Sequence, residues 1–525
     1  MGGVTTRPDP SDGPSADDPH FDGAPADDGP RRTRPRGGVA VIVAALLVLA
    51  LAASLIISVP PAFGGGGRAG DSAAGRGGEA AGLEVPEIAA ASQDRAGGPL
   101  REDTRTRIDA ALEHSSAGSA GVLVLDPATG DRLHAVSPGQ ALRPASNQKI
   151  LTHLSLLHHT GPDRRLATTV VTGQDPGSIV LVAGGDTLLA PGAGDPGSVM
   201  GRAGIGDLAE STAASLPAQT VERLESGAEL ELAWDTSLFT GPELNPAWAG
   251  GDIEAGQIGP VSPMAFGSHE VPGRPGQHDD DAARSVAESF AQQLEEQLEQ
   301  RLGERAGREA AVELGGPTDT TADPLRPAGQ QEGVTEIARV ESAPVQEQAG
   351  HMMRASDNRL AEVLGRVAAR SAGEDGSIEG GRRAMERAVR SVVGDDPFVG
   401  GQIELSDASG MSVDNRVSPD VLGAVLLAAA QDRSGRYAPM IRAFPRAGAT
   451  GTLSARFDDA QEAEGRAVTR AKTGTLNAVT GLSGQTVRAS GRPAVVVVLL
   501  DEVADPSAAR DSADRIFAAV AGDDG

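Results

Sequence analysis

The hydrophobic pattern at the start of the chain separates a polar segment from an apolar one. Residues 1–30 contain seven Asp and almost no large apolar side chains, so they cannot bury enough surface to fold. An uncharged apolar run follows from Val39 to Val59. Twenty-one helical residues would extend about 31 Å, close to the thickness of a bilayer core. We therefore predict a disordered cytoplasmic tail over residues 1–36 and a transmembrane helix over residues 37–59.

The charge beside the apolar run predicts its orientation. Four Arg lie between positions 31 and 36, and positive charge of this kind marks the cytoplasmic flank. The predicted localisation is the cell membrane, with a single span and an extracytoplasmic remainder. A cleaved signal peptide is the alternative, although its apolar stretch is usually only about 7–15 residues long. Residues 60–100 are rich in Gly and Ala and are predicted to be a flexible linker.

Beyond residue 100, helical and strand periodicities alternate along the chain. The predicted helices are Thr104–His114, Pro144–His158, Ala283–Leu302, a stretch from Pro344 to about Ala372, and Ser507–Val520. The predicted strands are Gly121–Leu125, Arg132–Val136, Ser178–Val182, Leu230–Trp234, Val468–Thr475, Ala478–Val487 and Ala494–Leu500. The last strand is apolar throughout, which favours burial on both of its faces.

This order of elements predicts the fold class. A hairpin and a helix come first, and an antiparallel sheet and a closing helix come last, which is typical of an α/β sandwich. The two halves, residues 101–165 and 341–525, are predicted to form one catalytic domain that an inserted region, residues 166–340, interrupts. In the long helix of that insertion, apolar residues recur every four positions from Val286 to Leu302. We interpret them as an ordinary core face rather than a partner groove.

Composition narrows the function. The formal charge of -27 argues against a nucleic-acid partner, because binding phosphates requires a cationic face. Cysteine is absent, which excludes cysteine nucleophiles and thiolate zinc sites. No HExxH motif occurs, and we predict neither a metal nor a cofactor. Of the 46 basic residues only Lys149 and Lys472 are lysine, and an amine that can lose its proton is available only at these positions.

The first lysine lies in the segment Pro144-Ala145-Ser146-Asn147-Gln148-Lys149. Helical residues three apart share a face, so the Lys149 amine can approach the Ser146 hydroxyl and act as its base. An N-terminal position on a helix would also direct backbone N–H groups toward the reacting oxygen. Ser146 is therefore the candidate nucleophile. By itself, S-x-x-K is more often a chance pattern on a solvated helix.

A second candidate is Ser356-Asp357-Asn358. Residues two apart on a helix point in different directions, so Ser356 and Asn358 could serve one site only if the helical stretch breaks there. Ser356 would then relay a proton, and Asn358 would hold the base and bind a substrate amide. A lone tripeptide of this composition is usually a turn or a helix cap.

The second lysine lies in Lys472-Thr473-Gly474-Thr475, which we place on an edge strand. Lys472 and the Thr473 hydroxyl would hold a carboxylate, and Gly474 would let a substrate backbone lie close. The Thr475 N–H could join that of Ser146 in stabilising an oxyanion. Taken alone, this segment is better explained as a surface strand.

Together the three segments are specific. S-x-x-K, S-D-N and K-T-G in this order are the signature of class A β-lactamases and penicillin-binding proteins, and both lysines of the chain fall within them. From about residue 101 to 522 the chain resembles the D-alanyl-D-alanine carboxypeptidase/endopeptidase family, the class C low-molecular-mass penicillin-binding proteins. Further stretches that resemble it are Leu238–Pro242, Ser406–Ser412, Asn415–Pro419 and Gly451–Leu453. The spacing of 210 residues between Ser146 and Ser356 also suits this family and is too long for a β-lactamase.

This resemblance implies a penicillin-binding, transpeptidase-like α/β fold with an antiparallel sheet, flanking helices and a helical subdomain. It implies acylation of Ser146, with Lys149 as the base, Ser356 and Asn358 completing the relay, and Lys472 and Thr473 holding the terminal carboxylate. The substrates would be peptidoglycan stem peptides, and β-lactam antibiotics would be inhibitors. Ala408 and Met411 stand where the family more often has Gly and Leu.

Three functional hypotheses follow. The leading one is a serine-type D-Ala-D-Ala carboxypeptidase that can also act as a D,D-endopeptidase. A β-lactamase or esterase that uses the same machinery is the second, and a non-catalytic cell-wall-binding protein is the third.

Overall fold

The computed structural model describes residues 98–303, 311–320, 322–326, 331 and 333–525. The predicted tail, the predicted membrane span and residues 60–97 of the predicted linker lie outside this part of the chain. Within it, none of the helices combines the length and the apolar character that crossing a bilayer requires.

The described helices and strands are as follows. The helices are α1 (Glu102–His114), α2 (Gln148–Thr160), α3 (Ile205–Ser215), α4 (Ala218–Glu225), α5 (Gly250–Glu254), α6 (Ala282–Leu302), α7 (Val345–Ala355), α8 (Asn358–Ser371), α9 (Ile378–Val393), α10 (Asp396–Val399), α11 (Pro419–Gln431), α12 (Pro439–Ala443) and α13 (Pro506–Ala521). The strands are β1 (Ala117–Leu125), β2 (Arg132–Val136), β3 (Ala167–Thr172), β4 (Ser178–Val182), β5 (Leu230–Asp235), β6 (Val312–Pro317), β7 (Glu336–Glu341), β8 (Ile403–Glu404), β9 (Arg416–Val417), β10 (Arg470–Leu476), β11 (Val479–Val487) and β12 (Pro493–Val503).

The first sheet joins the two ends of the chain. Its strand order is β10-β11-β12-β1-β2, and every neighbouring pair is antiparallel. The central strand β12 contributes Val495, Val497 and Leu499 to one hydrophobic core. The alternate residues, from Ala494 to Leu500, belong to another core on the opposite face. Because side chains alternate along a strand, this confirms the prediction that β12 is buried on both faces.

Helices cover both faces of this sheet. α1 and α13 pack together on one face, and α11 packs against β12 and β1. Leu100, the last residue of the predicted linker, is only 2% exposed and belongs to the core beneath α13. The α/β architecture expected from the order of elements is therefore confirmed.

A second sheet lies within residues 167–341, in the order β6-β5-β4-β3-β7. β4, β5 and β6 are parallel neighbours, whereas β3 runs antiparallel to both β4 and β7. α6 packs beside α3 in a separate hydrophobic core, and the residues of its four-residue stripe are at most 7% exposed. The stripe is thus a core face, as predicted. The exact division into a catalytic domain and an insertion stays a prediction.

The helices α2, α8 and α9 pack against one another and share a hydrophobic core with strands of the first sheet. The helical stretch after Pro344 is broken between α7 and α8, as a shared role for Ser356 and Asn358 requires. Ser356 ends α7 in the left-handed conformation, with φ of 58°, and the Asp357 carboxylate caps α8 by accepting the Leu360 N–H at 2.9 Å. This break brings the second motif to the side of α2.

Candidate active site

The nucleophile candidate lies in a tight turn ahead of α2. A single helix over Pro144–His158 was predicted, and this prediction is wrong at its start: residues Ala145–Asn147 form a 3₁₀ turn, and the α-helix begins at Gln148. Tertiary contact explains the difference, because Ala145 has a φ of 47° and its carbonyl packs closely on Gly410. Ser146 itself is half-buried, so part of this residue stays open to solvent.

Lys149 is fully buried beneath this turn. Its Nζ donates to Ser146 Oγ at 3.1 Å, to Asn358 Oδ1 at 2.7 Å and to the Ser409 carbonyl at 2.7 Å. Burial lowers the pKa of Lys149 to about 8, while the nearby carboxylates of Asp407, Asp357 and Glu362 oppose that change. A large fraction of the amine is therefore neutral at mildly alkaline pH, as a base for Ser146 must be.

The break between α7 and α8 places Asn358 and Ser356 beside the two lysines. Asn358 accepts from Lys149 through Oδ1 and donates through Nδ2 to the Gln257 carbonyl at 2.8 Å, so its amide is held in one orientation. Ser356 Oγ accepts a hydrogen bond of 2.9 Å from Lys472. Each of the two motif residues thus contacts one of the two lysines.

Lys472 lies on β10, an edge strand as predicted, and is fully buried. Besides Ser356, its Nζ donates to the Thr473 carbonyl at 2.7 Å. Burial lowers the pKa of Lys472 well below its usual value, and the charges of Lys149 and Arg456 lower it further. Thr473 follows on the same strand and is largely buried, and its hydroxyl is 2.8 Å from that of Thr452.

The structure gives a reason for glycine at position 474 that the sequence did not reveal. A Cβ at this position would lie 2.6 Å from Asn147 Nδ2 and 2.9 Å from the Pro144 carbonyl oxygen. The missing side chain therefore lets β10 approach the nucleophile turn, whereas the sequence analysis attributed it to a substrate backbone. Thr475, the next residue, is exposed.

The structure thus places the predicted residues in two hydrogen-bonded sets, Ser146–Lys149–Asn358 and Ser356–Lys472, and the charge of Lys149 acts on Lys472. Thr473 and Gly474 follow Lys472 on β10, and Gly474 packs against the turn that carries Ser146. Three contributors were not predicted. The Ser409 and Gln257 groups are backbone carbonyls, whose position no side-chain pattern reveals. Thr452 lies in the family-like stretch Gly451–Leu453, to which no role was assigned.

Histidine offers no alternative base at this turn. His153, one turn after Lys149, is fully buried, and neither ring nitrogen has a hydrogen-bond partner. Burial lowers its pKa to about 3, so the ring is neutral at physiological pH. Among the described residues, His, Asp and Glu side chains do not gather in groups of three or more that could hold a metal ion.

The substitution Gly474→Ala tests the close approach of β10. We expect the added methyl group to displace the turn that carries Ser146, because the Pro144 carbonyl is backbone and cannot rotate away. Acylation should slow by roughly tenfold to a hundredfold, since small misplacements of reacting groups are costly. The free energy of unfolding should fall by about 1–3 kcal/mol. Gly316→Ala, at a strand glycine with open space around it, is the matched control. Equal acylation rates in the two variants would contradict this explanation.

Comparison with known proteins identifies the family of the chain. The family model described as D-Ala-D-Ala carboxypeptidase 3 (S13) matches residues 104–272 and 304–520. Carboxypeptidase DacB of Mycolicibacterium smegmatis is 33% identical over 399 residues, which cover 75% of this chain and 79% of that protein. A carboxypeptidase of Mycobacterium tuberculosis is 31% identical over 373 residues, covering 70% and 73% of the two chains.

The fold is also shared with a solved structure. Penicillin binding protein 4 (dacB) from Haemophilus influenzae superposes with a TM-score of 0.58 at 18% identity, over 78% of this chain and 97% of that one. The family resemblance drawn from the three motifs is confirmed. The chain belongs to the D-Ala-D-Ala carboxypeptidase 3 (S13) family.

Proposed function

We propose that the chain is a serine-type D-Ala-D-Ala carboxypeptidase that cleaves peptidoglycan stem peptides through an acyl-enzyme at Ser146. One observation carries the proposal: the two lysines of the chain contact the hydroxyls of Ser146 and Ser356, and Asn358 accepts from Lys149. Family membership and the carboxypeptidase relatives support the same activity.

In the first half-reaction, Lys149 takes the Ser146 proton while Oγ attacks the carbonyl carbon of the penultimate D-alanine. The distance of 3.1 Å between Nζ and Oγ permits direct transfer. Backbone N–H groups of Ser146 and Thr475 would stabilise the developing oxyanion. When the C–N bond breaks, the proton returns through the Ser356 hydroxyl to the leaving amine, and D-alanine departs.

In the second half-reaction, water attacks the acyl carbon. Lys149 accepts the proton of the water and passes it to Ser146 Oγ as the ester bond breaks, which restores the free enzyme. An amine of another stem peptide is the leaving group when the same bond lies in a cross-link, so D,D-endopeptidase action requires no further catalytic group.

Recognition of the terminal carboxylate falls to the strand β10. Thr473 belongs to this edge strand, and its hydroxyl would donate to the carboxylate. Lys472 is buried behind it with its amine held by Ser356, so we assign it the charge that favours an anion there. A bound carboxylate would in turn raise the pKa of Lys472 and favour the ammonium form.

We further propose that residues 37–59 anchor the protein in the cell membrane and that the catalytic part is extracytoplasmic. The support is the apolar length of this segment and the four Arg before it. Such a location would keep the site on the same side of the membrane as peptidoglycan.

The activity itself is tested with a fluorescent penicillin and with a stem pentapeptide. We expect a covalent adduct at Ser146, identified by peptide mass, and release of one D-alanine per peptide. Ser146→Ala should abolish both signals. Rapid release of hydrolysed penicillin without D-alanine release would instead indicate a β-lactamase, and peptide binding without any release would indicate a non-catalytic wall-binding protein.

Lys149→Arg tests the base. Arginine keeps the positive charge but does not lose its proton, so acylation by penicillin should fall by about 10²–10⁴-fold. The measurement is the rate of adduct formation, together with thermal unfolding to show that the buried site still folds. Near-normal labelling of a folded variant would rule out Lys149 as the general base.

Membrane anchoring is tested by comparing the full chain with a form that begins at residue 61. The full chain should sediment with membranes and resist extraction by high salt, whereas the shortened form should be released when it is exported. Mass analysis of the N-terminus provides the control. A full-length gene product that is recovered in soluble form, with residues 1–60 removed, would show a cleaved signal instead.

A further inference from the structure

A buried carboxylate outside the three motifs lies close to the catalytic base. Glu362 follows Asn358 by one turn of α8 and is only 3% exposed. Its Oε1 accepts the backbone N–H groups of Ala408 at 3.1 Å and Ser409 at 2.8 Å. An uncompensated carboxylate is costly to bury, so a residue of this kind calls for an explanation beyond packing.

The segment that Glu362 holds is the loop of residues 406–412. This loop is wrapped around a second carboxylate, that of Asp407, which accepts from Gly410 N at 2.7 Å and from Ser412 N at 2.6 Å. Side chains outside the loop also donate to Asp407, namely Asn415 through Nδ2 and Trp248 through Nε1. Asp407 therefore determines the internal shape of the loop, while Glu362 attaches the loop to α8.

The backbone of Ser409 links Glu362 to the amine of Lys149. The Ser409 N–H donates to Glu362, and the Ser409 carbonyl accepts from Lys149 Nζ at 2.7 Å. One residue thus connects the carboxylate of Glu362 to the base of the reaction. Loss of the Glu362 contact would free this carbonyl to move away from the amine.

We propose that Glu362 is a positioning residue for the acylation step: its carboxylate holds the Ser409 carbonyl against Lys149, and it is one of the negative charges near that amine. The inference rests on the proposed function, because it assigns Glu362 an effect on the base of that reaction. It concerns a residue that makes no contact with the nucleophile.

The charges around the two groups give the direction of the effect. Lys149 faces the carboxylates of Glu362, Asp407 and Asp357, which raise its pKa, and it is close enough to Lys472 for the two amines to repel. Glu362 itself faces Asp407 and the guanidinium of Arg366. Burial first, and then the repulsion from Asp407, raise the pKa of Glu362 to about 7, while the hydrogen bonds from Ser409 and the charge of Arg366 oppose this change.

The charge of Glu362 affects how acylation depends on pH. An ionised Glu362 favours the ammonium form of Lys149, whereas acylation requires the neutral amine. Acylation of the wild-type protein should therefore rise with pH through about 8, where the pKa of Lys149 lies. A neutral residue at position 362 should lower that pKa and shift the rising part of the pH profile toward lower pH. The difference should appear above about pH 7, where most of Glu362 is ionised and Lys149 is still partly protonated.

The experiment measures the rate of adduct formation with fluorescent penicillin from pH 5 to pH 10. Glu362→Gln keeps an oxygen for the two N–H groups and removes the charge, so we expect the shifted pH profile with an alkaline plateau within about threefold of wild type. Glu362→Ala also removes the attachment of the loop, and its plateau should fall by at least about tenfold. Glu462→Gln is the matched control, because burial also raises the pKa of Glu462 to about 7 but the charges that act on it are those of Asp514, Asp459, Asp511 and Arg515.

The outcomes separate the two proposals. If the wild-type protein forms no adduct at any pH, the proposed function fails before Glu362 is tested. If it reacts and Glu362→Gln lowers the plateau without shifting the pH profile, Glu362 is merely structural and the inference is overturned. Thermal unfolding of each variant shows whether a lower acylation rate at alkaline pH reflects an unfolded protein. If Glu362→Ala does not fold, the pH profile of Glu362→Gln alone tests the proposal.

Discussion

The site depends on the amine of Lys149, which is excluded from solvent and yet fully hydrogen-bonded. Lys149 is inaccessible to solvent, and burial of an unpartnered ammonium group would be strongly unfavourable. Its three acceptors come from separate parts of the chain: the nucleophile turn, the start of α8 and the loop of residues 406–412. The amine is therefore stable only when all three segments are in place, and so the formation of the base and the folding of the domain are one event.

The two buried lysines differ in their electrostatic surroundings. Burial disfavours the charged form of both amines, and the charge of Lys149 lowers the pKa of Lys472 further. The carboxylates of Asp407, Asp357 and Glu362 partly restore the ammonium form of Lys149. The two amines thus occupy different electrostatic surroundings: the pKa of Lys149 is about 8, whereas the pKa of Lys472 is lowered well below its usual value.

The region between the two halves of the catalytic sheet also contributes to the site. Its sheet has a separate hydrophobic core, but the chain that follows β5 returns to the catalytic motifs. Gln257 there accepts from the Asn358 amide, and Trp248 donates to Asp407. Two of the groups that orient the base therefore rest on a segment that the sequence analysis placed in the insertion, and a change in that segment could affect catalysis without touching Ser146.

The sequence by itself determined the three motifs, the α/β order of elements and the doubly buried strand β12, because side-chain type and periodicity are local properties. It also indicated that α7 and α8 must part at Ser356. Only the tertiary structure decided the 3₁₀ turn at Ala145–Asn147, the reason for Gly474 and the parts played by Ser409 and Glu362. These features arise where backbone groups from distant segments meet, and a backbone carbonyl or a missing Cβ leaves no trace in the pattern of side chains until the fold brings its neighbours together.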